Sequence, residues 1–160
     1  MVEPNRLSQH PGFTVLEVLQ VLLLLSILTA IAVPNWRALL PGYHLNSATR
    51  QMQSELHRTK ARAVSGNVEY RLVFSKVSYA IERKTDAGWD AAGESRELPA
   101  GIEVHSTTVK SLGFTARGTA TPGTGGTVKL CNTQGQGRNL VVSSTGRIRT
   151  CSPTTCNASC

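Results

Sequence analysis

The stretch "GFTVLEVLQVLLLLSILTAIAVP", from Gly12 to Pro34, decides the fold, because it is the one long apolar run in the chain. Phe13 to Val33 is 21 residues, and about 20 apolar residues are enough to cross a bilayer as a helix. One acid, Glu17, lies near the start of the run. A carboxylate in hydrocarbon is costly and usually has a partner. Any explanation must therefore account for both the length and the acid.

Two common explanations of the apolar run each fail to account for part of these observations. A cleavable secretory signal would use the A-x-A site at Ala30–Ala32. However, the apolar run is longer than the roughly 7–15 residues of such signals, and the leading region carries only Arg6, offset by Glu3. A plain membrane anchor explains the length but leaves Glu17 without a partner.

The hexapeptide "GFTVLE" resembles the processing motif of type IV pilins and of type II secretion pseudopilins. The resemblance implies that residues 1–12 are a leader, that a prepilin peptidase cuts after Gly12, and that the new N-terminal Phe13 is methylated. Cutting frees an α-amine one helical turn from Glu17. Pairing with that amine, on the same subunit or on a neighbour, lowers the cost of burying the carboxylate. Glu17 is therefore predicted to be an assembly residue.

The helix is expected to extend beyond the apolar run, with residues 13–34 crossing the membrane and residues 35–66 forming an amphipathic continuation. Pro34 matches a helix-kinking proline of the pilin family, and Pro41-Gly42 is predicted to kink or interrupt the helix. Helical periodicity then resumes and ends near Ser65-Gly66, where glycine suits a C-terminal cap. The apolar stripe contains Leu45, Ala48, Met52, Leu56 and Ala63, while Arg50, Glu55, Arg58 and Arg62 fall mostly outside it.

From Val68 the pattern changes to the period of two that is typical of strands. "TDAGWDAAGES", residues 85–95, is predicted to be a loop in which Trp89 covers a core edge. One long helix followed by antiparallel strands gives an α+β fold, with residues 67–160 as the β-rich domain. The predicted strands contain Tyr70, Leu72 and Phe74, then Val77–Arg83 with Val77, Tyr79 and Ile81 on one face, then Ile102–His105, Ser111–Phe114, Val128–Cys131, Leu140–Ser143 and Arg147–Cys151.

A second resemblance covers the C-terminal half. Ser111–Cys151, with Phe114 and Gly118, a glycine-rich loop and then "RNLVVSSTGRIR", looks like the FimT/GspH family of minor pilins and minor pseudopilins. It is weakest over Val68–Thr107. The two resemblances together imply a type IV pilin-like fold, in which a long N-terminal hydrophobic helix packs on an antiparallel sheet domain.

All four cysteines, Cys131, Cys151, Cys156 and Cys160, lie late in the chain. An even number in an exported protein predicts disulfides. Of the three possible pairings we favour Cys131–Cys151 with Cys156–Cys160. The absence of CxxC spacing and of a histidine among these cysteines argues against zinc.

The sharpest candidate for a binding site is "GRIRT", Gly146–Thr150. The net charge is +7, and no acid follows Glu103 in the sequence. On a strand, Arg147 and Arg149 would point to the same side about 7 Å apart, and each could hold a phosphate. In FimT-like pilins of naturally competent bacteria a GRxR pattern is associated with DNA binding. Gly146, Arg147 and Arg149 match that pattern, and Arg138, Lys129, Arg117 and Lys110 would extend the patch.

The ordinary alternative is that these arginines are solvated or pair with acids such as Glu103. Contact with phosphates alone predicts binding of double-stranded DNA that is independent of sequence and sensitive to salt. No catalytic or metal-binding constellation is evident, so no enzyme activity and no cofactor are expected.

The sequence thus predicts a minor pilin or pseudopilin that assembles through its N-terminal helix and binds DNA for uptake in natural transformation. It would be a single-pass protein of a bacterial inner membrane, with its globular domain in the periplasm before it enters a pilus or pseudopilus. Its expected partners are other minor and major pilins or pseudopilins and the prepilin peptidase. The alternative is a structural, H-type pseudopilin of type II protein secretion that binds no DNA.

Overall fold

The computed structural model describes residues 12–153 and 155–159, with the backbone alone for residues 33–38. Most of the predicted leader (residues 1–11), the side chain of Pro34, and Cys160 therefore lie outside the described residues. The chain divides into two compact units, Met1–Ala38 and Leu39–Cys160. The helix α1 spans Val15–Gly66 and contributes residues to both units.

In the first unit, the apolar part of α1 has no core of its own. Val15–Ala32 has a mean hydropathy of 2.4, and none of it is buried. It is long and apolar enough to cross a membrane by length and composition. A segment with apolar side chains on every face needs an apolar surrounding, which a bilayer or neighbouring helices provide.

In the second unit, residues 39–66 of α1 form the helical layer of an α+β fold. The helix continues through Pro41 and Gly42, so the predicted interruption there is wrong. The five predicted stripe residues are all buried. The helix ends at Gly66, and the next residue, Asn67, takes the left-handed conformation (φ 50°) that commonly follows a helix.

In the described residues, nine strands follow the helix and form two antiparallel sheets. Sheet A has the order β3-β2-β1-β6, with β4 also paired to β2, and sheet B has the order β5-β7-β8-β9. Sheet B carries the residues of the candidate site. The strands are β1 (Tyr70–Phe74), β2 (Ser78–Thr85), β3 (Gly88–Ala91), β4 (Arg96–Glu97), β5 (Ile102–Thr107), β6 (Ser111–Phe114), β7 (Gly126–Asn132), β8 (Gly137–Val142) and β9 (Ile148–Cys151).

A single core joins the helix to both sheets. Met52 and Leu56 of α1 meet Leu72 and Phe114 of sheet A and Leu130 of sheet B in one buried cluster. The buried side chains that the structure describes begin at Leu45. The unit Leu39–Cys160 therefore contains its own core.

Residues 85–95 were predicted to be a loop, but they contain strand β3, so that prediction is wrong. Asp86 and Ala87 form a tight turn, since Thr85 is opposite Gly88 across the β2–β3 hairpin. Trp89 lies in β3, and the Arg71 guanidinium lies 4.0 Å from its ring centroid. The contact of a cation with an aromatic face stabilises this hairpin. The strand therefore does not depend on alternating apolar residues, which are the pattern by which strands are recognised in a sequence.

Two individual side chains also lie elsewhere than predicted. Val77 precedes β2 and is 54% exposed, so it does not share the buried face of Tyr79 and Ile81. Glu55 is buried, although charged residues were expected outside the stripe. It is held there by Arg96, whose guanidinium nitrogen lies 2.5 Å from the Glu55 carboxylate.

The predicted disulfide pairing is wrong, because Cys131 is bonded to Cys156. Cys131 lies on β7 and Cys151 on β9, and β8 runs between them. Two strand spacings put them about 10 Å apart, and a disulfide cannot bridge Cα atoms beyond about 7 Å. Cys151 is disulfide-bonded as well.

Candidate nucleic-acid interface

The turn between β8 and β9 sets the position of Arg147. Gly146 donates its N–H to the Ser143 carbonyl at 2.8 Å, and the Arg147 carbonyl accepts the N–H of Ser143 at 3.0 Å. Gly146 has a φ of 76°. A type I turn followed by a residue in this conformation is a common hairpin connection. The strand therefore begins at Ile148, and Arg147 belongs to the turn and not, as predicted, to the strand.

Gly146 is required here for space as well as for conformation. A Cβ atom built on it would lie 2.0 Å from the backbone oxygen of Gly118. The Lys60 ammonium of α1 donates to the Gly146 carbonyl at 3.0 Å. The glycine of the GRxR pattern thus anchors the turn to the loop at Gly118 and to the helix.

Arg147 and Arg149 are both exposed, and the partly buried Ile148 lies between them. Ile148 packs against the core, as the sequence predicts. Within the described part of the chain, neither guanidinium has a hydrogen bond or an ion pair. The acid suggested as a partner, Glu103, pairs instead with Lys76 at 3.3 Å. Both arginines are therefore available to an external anion.

Strand register divides the remaining predicted residues between two faces of sheet B. Arg149 is opposite Val141, and Val141 is opposite Thr127. Lys129, two residues along β7, consequently shares the face of Arg149. Arg138 is opposite the buried Leu130 and points to the other face.

Arg138 makes contacts within the fold. Its Nε donates to the Asn46 side-chain oxygen at 3.0 Å, and its Nη1 donates to the carbonyl of Gly137 at 3.3 Å. The structure brings Lys129 together with Arg149 and does not bring Arg138 to them.

The segment that follows β9 was not expected to touch the basic residues. The Lys129 ammonium donates to the Asn157 carbonyl at 3.0 Å, and the Asn157 side-chain oxygen is 2.9 Å from the His105 ring. The only sequence signal for this placement is the cluster of late cysteines.

The residues predicted to act in processing and assembly begin the apolar helix. The Glu17 N–H donates to the Thr14 hydroxyl at 3.3 Å, so Thr14 caps the helix. Phe13 is 84% exposed, and the side chain of Glu17 is exposed as well. Gly12 has open space around it.

The described residues contain no group of three or more histidine, cysteine, aspartate or glutamate side chains that could hold a metal ion. The His105 ring contacts the Asn157 side chain. The site consists of cations on the outer face of sheet B and at its β8–β9 turn, and anions are the ligands that such groups suit.

An apolar N-terminal helical segment, followed by helical residues packed on antiparallel sheets, defines the type IV pilin-like fold. The sequence matches the family described as "Type II transport protein GspH" over residues 48–146. The chain belongs to this family, and it is a minor pilin or pseudopilin of the GspH/FimT type.

Solved structures agree with this assignment. The type IV minor pilin FimU of Pseudomonas aeruginosa (strain PAO1) is 25% identical, with a TM-score of 0.57 over 70% of this chain and 94% of that one. The minor pseudopilin EpsH from the Type 2 Secretion System of Vibrio cholerae is 11% identical, with a TM-score of 0.58 over 69% of this chain and 98% of that one. No curated protein sequence matches significantly. The relatives are pilins and pseudopilins, so the expectation that the chain is not an enzyme is confirmed.

Proposed function

We propose that this protein acts as a minor pilin that binds double-stranded DNA, independently of sequence, for uptake in natural transformation. The observation that carries the proposal is the pair Arg147 and Arg149. Both are exposed and unpaired in the part of the chain that the structure describes. They are held by a hairpin whose geometry depends on Gly146. The hairpin fixes the backbone that carries them, and the planar guanidinium presents its donors in a pre-organised fork that suits a phosphate.

The surrounding charge favours the same ligand. No acidic residue follows Glu103 in the sequence, and Glu103 is engaged by Lys76. Lys129 adds a third cation on the face of Arg149. An uncompensated positive surface attracts polyanions and speeds their association.

We further propose that the protein is cut after Gly12 by a prepilin peptidase, is methylated at Phe13, and crosses the inner membrane with its globular unit in the periplasm. It would then assemble with other minor and major pilins or pseudopilins. None of Val15–Ala32 is buried, which supports this proposal because such an apolar surface requires lipid or neighbouring helices. Glu17 lies close enough in sequence to a new amine at Phe13 to neutralise it.

The test of DNA binding is fluorescence anisotropy with a random duplex and the unit Leu39–Cys160, with its disulfides formed. We expect Arg147→Ala/Arg149→Ala to weaken binding about tenfold or more at low salt, because each charge-assisted phosphate contact is lost. The slope of log affinity against log salt should fall by about 2, one for each lost contact.

The matched control is Arg62→Ala/Arg83→Ala. It removes the same two charges from exposed positions on α1 and β2. An equal loss in both double variants would mean that net charge alone drives binding. If wild type fails to bind even at low salt, the DNA proposal is wrong, and the protein acts as a structural pseudopilin through subunit contacts alone.

A further inference from the structure

The C-terminal tail, residues 155–159, lies across the outer face of sheet B. The Cys131–Cys156 disulfide, with 5.6 Å between the two Cα atoms, ties the segment to β7. The Cys156 N–H donates to the Gly135 carbonyl at 3.1 Å, and the Asn139 side-chain amide donates to the Ala158 carbonyl at 3.1 Å. The segment is therefore attached at several points.

The sequence of β8 makes room for this segment. A Cβ atom on Gly137 would lie 2.7 Å from the Thr155 carbonyl oxygen and 3.0 Å from the Cα of Cys156. The absence of a side chain at Gly137 lets the tail backbone rest directly on the strand.

A cavity of about 440 Å³ opens beside the tail, on the face that carries Lys129 and Arg149. The described residues that line it supply hydroxyl groups and two cations and include no carboxylate. They are Thr108, Thr127, Lys129, Val141, Arg149, Thr150, Cys151 and Ser159.

Both cations keep unused donors. An ammonium has three N–H donors, and Lys129 uses one on the Asn157 carbonyl, which also fixes where the ammonium lies. A guanidinium has five donors, and Arg149 uses none of them on the residues that the structure describes. Two cations with free donors, beside hydroxyl groups, match the acceptor oxygens of a phosphate.

We propose that this cavity binds a single phosphate group between Lys129 and Arg149, and that the Cys131–Cys156 disulfide holds the tail as one wall of the site. The inference deepens the proposed function and rests on it, because the phosphate would be a backbone phosphate of the bound DNA. DNA would then be held at a built site in addition to the exposed surface of Arg147.

The test uses the full chain in detergent micelles, with amide chemical shifts recorded by NMR. Inorganic phosphate is titrated at constant ionic strength against chloride. We expect saturable shifts at Thr127, Lys129 and Thr150. Lys129→Gln and Arg149→Gln should each weaken phosphate binding about tenfold, since one charge-assisted contact is lost. Arg138→Gln, on the opposite face, should leave it unchanged.

The disulfide supplies a second arm. Cys131→Ser/Cys156→Ser should weaken phosphate binding, because it detaches Cys156 from β7 and loosens the wall that carries Asn157. Unchanged phosphate affinity in that variant, with native sheet resonances, would remove the tail from the site. If the variant does not fold, the Lys129→Gln and Arg149→Gln results decide alone.

Duplex DNA, titrated separately, distinguishes the two proposals. Shifts that never saturate, or that spread equally over Lys110 and Arg117, would show adventitious phosphate only and overturn the cavity site. DNA binding that Lys129→Gln leaves unchanged would also overturn it while the proposed function stands. Saturable phosphate binding without DNA binding would overturn the proposed function and, with it, the assignment of the phosphate to DNA.

Discussion

Replacing Gly146 by alanine should destabilise the globular unit by more than its left-handed conformation alone requires. Gly146 has a φ of 76°, a conformation that costs an ordinary L-residue about 1–2 kcal/mol. The added Cβ would also lie 2.0 Å from the Gly118 backbone oxygen. Backbone cannot move aside as a flexible side chain can, and such overpacking typically costs about 1–3 kcal/mol more. The expected loss is therefore about 2–5 kcal/mol in the free energy of unfolding.

Gly123 provides the matched control. It has a φ of 79°, and a Cβ built on it would meet nothing within 4 Å. Gly123→Ala should therefore cost only the conformational part, about 1–2 kcal/mol. The difference between the two variants isolates the contact with Gly118.

Urea unfolding of the unit Leu39–Cys160, followed by circular dichroism, measures both losses. Equal losses for Gly146→Ala and Gly123→Ala would refute the argument that close packing against Gly118 fixes the turn. A larger loss for Gly146→Ala should be accompanied by weaker DNA binding, because the turn positions Arg147.

Two further predictions concern the buried polar groups under sheet A. Arg96→Ala should lower the free energy of unfolding, measured with urea, by about 1–3 kcal/mol, because the buried Glu55 carboxylate loses its closest cation. Arg96 is itself half exposed, and solvent screening keeps the loss within this range. A loss no larger than that caused by the exposed Arg83→Ala would contradict this. Burial, and then the negative charge of Glu55, raise the pKa of Tyr79 above its usual 10.0, with Arg96 opposing. Because the folded-state pKa is the higher one, this contribution to stability is complete below about pH 10 and is lost as the pH rises through the folded-state pKa. Above about pH 10, the free energy of unfolding of wild type should therefore fall relative to that of Tyr79→Phe. A difference between the two proteins that does not change with pH would contradict the raised pKa of Tyr79.

The helix and most of the strands could be predicted from local pattern. The stripe at Leu45, Met52 and Leu56 follows the helical period, and all three residues are buried. Strand β6 was predicted with its observed bounds, Ser111–Phe114. In the helix the buried positions recur with the helical period, so the sequence records which side faces the core.

Hairpin β2–β3 could not be predicted in this way. Its stabilising contact joins Trp89 to Arg71, which lies on β1. A stretch with few apolar residues resembles a loop when such a cross-strand partner is unknown. The burial of Glu55 could not be predicted for the same reason, because its partner Arg96 is 41 residues away in the sequence.

The sequence by itself determined that an apolar helix precedes an α+β domain, that a glutamate lies near the start of that helix, and that the last third carries uncompensated positive charge. These properties follow from composition and local spacing. Tertiary structure alone decided that Cys131 bonds Cys156, that Lys129 joins Arg149 while Arg138 faces away, and that the tail covers β8 at Gly137. Each of these depends on which strands are neighbours and in what register they pair, and that is a property of the assembled sheet.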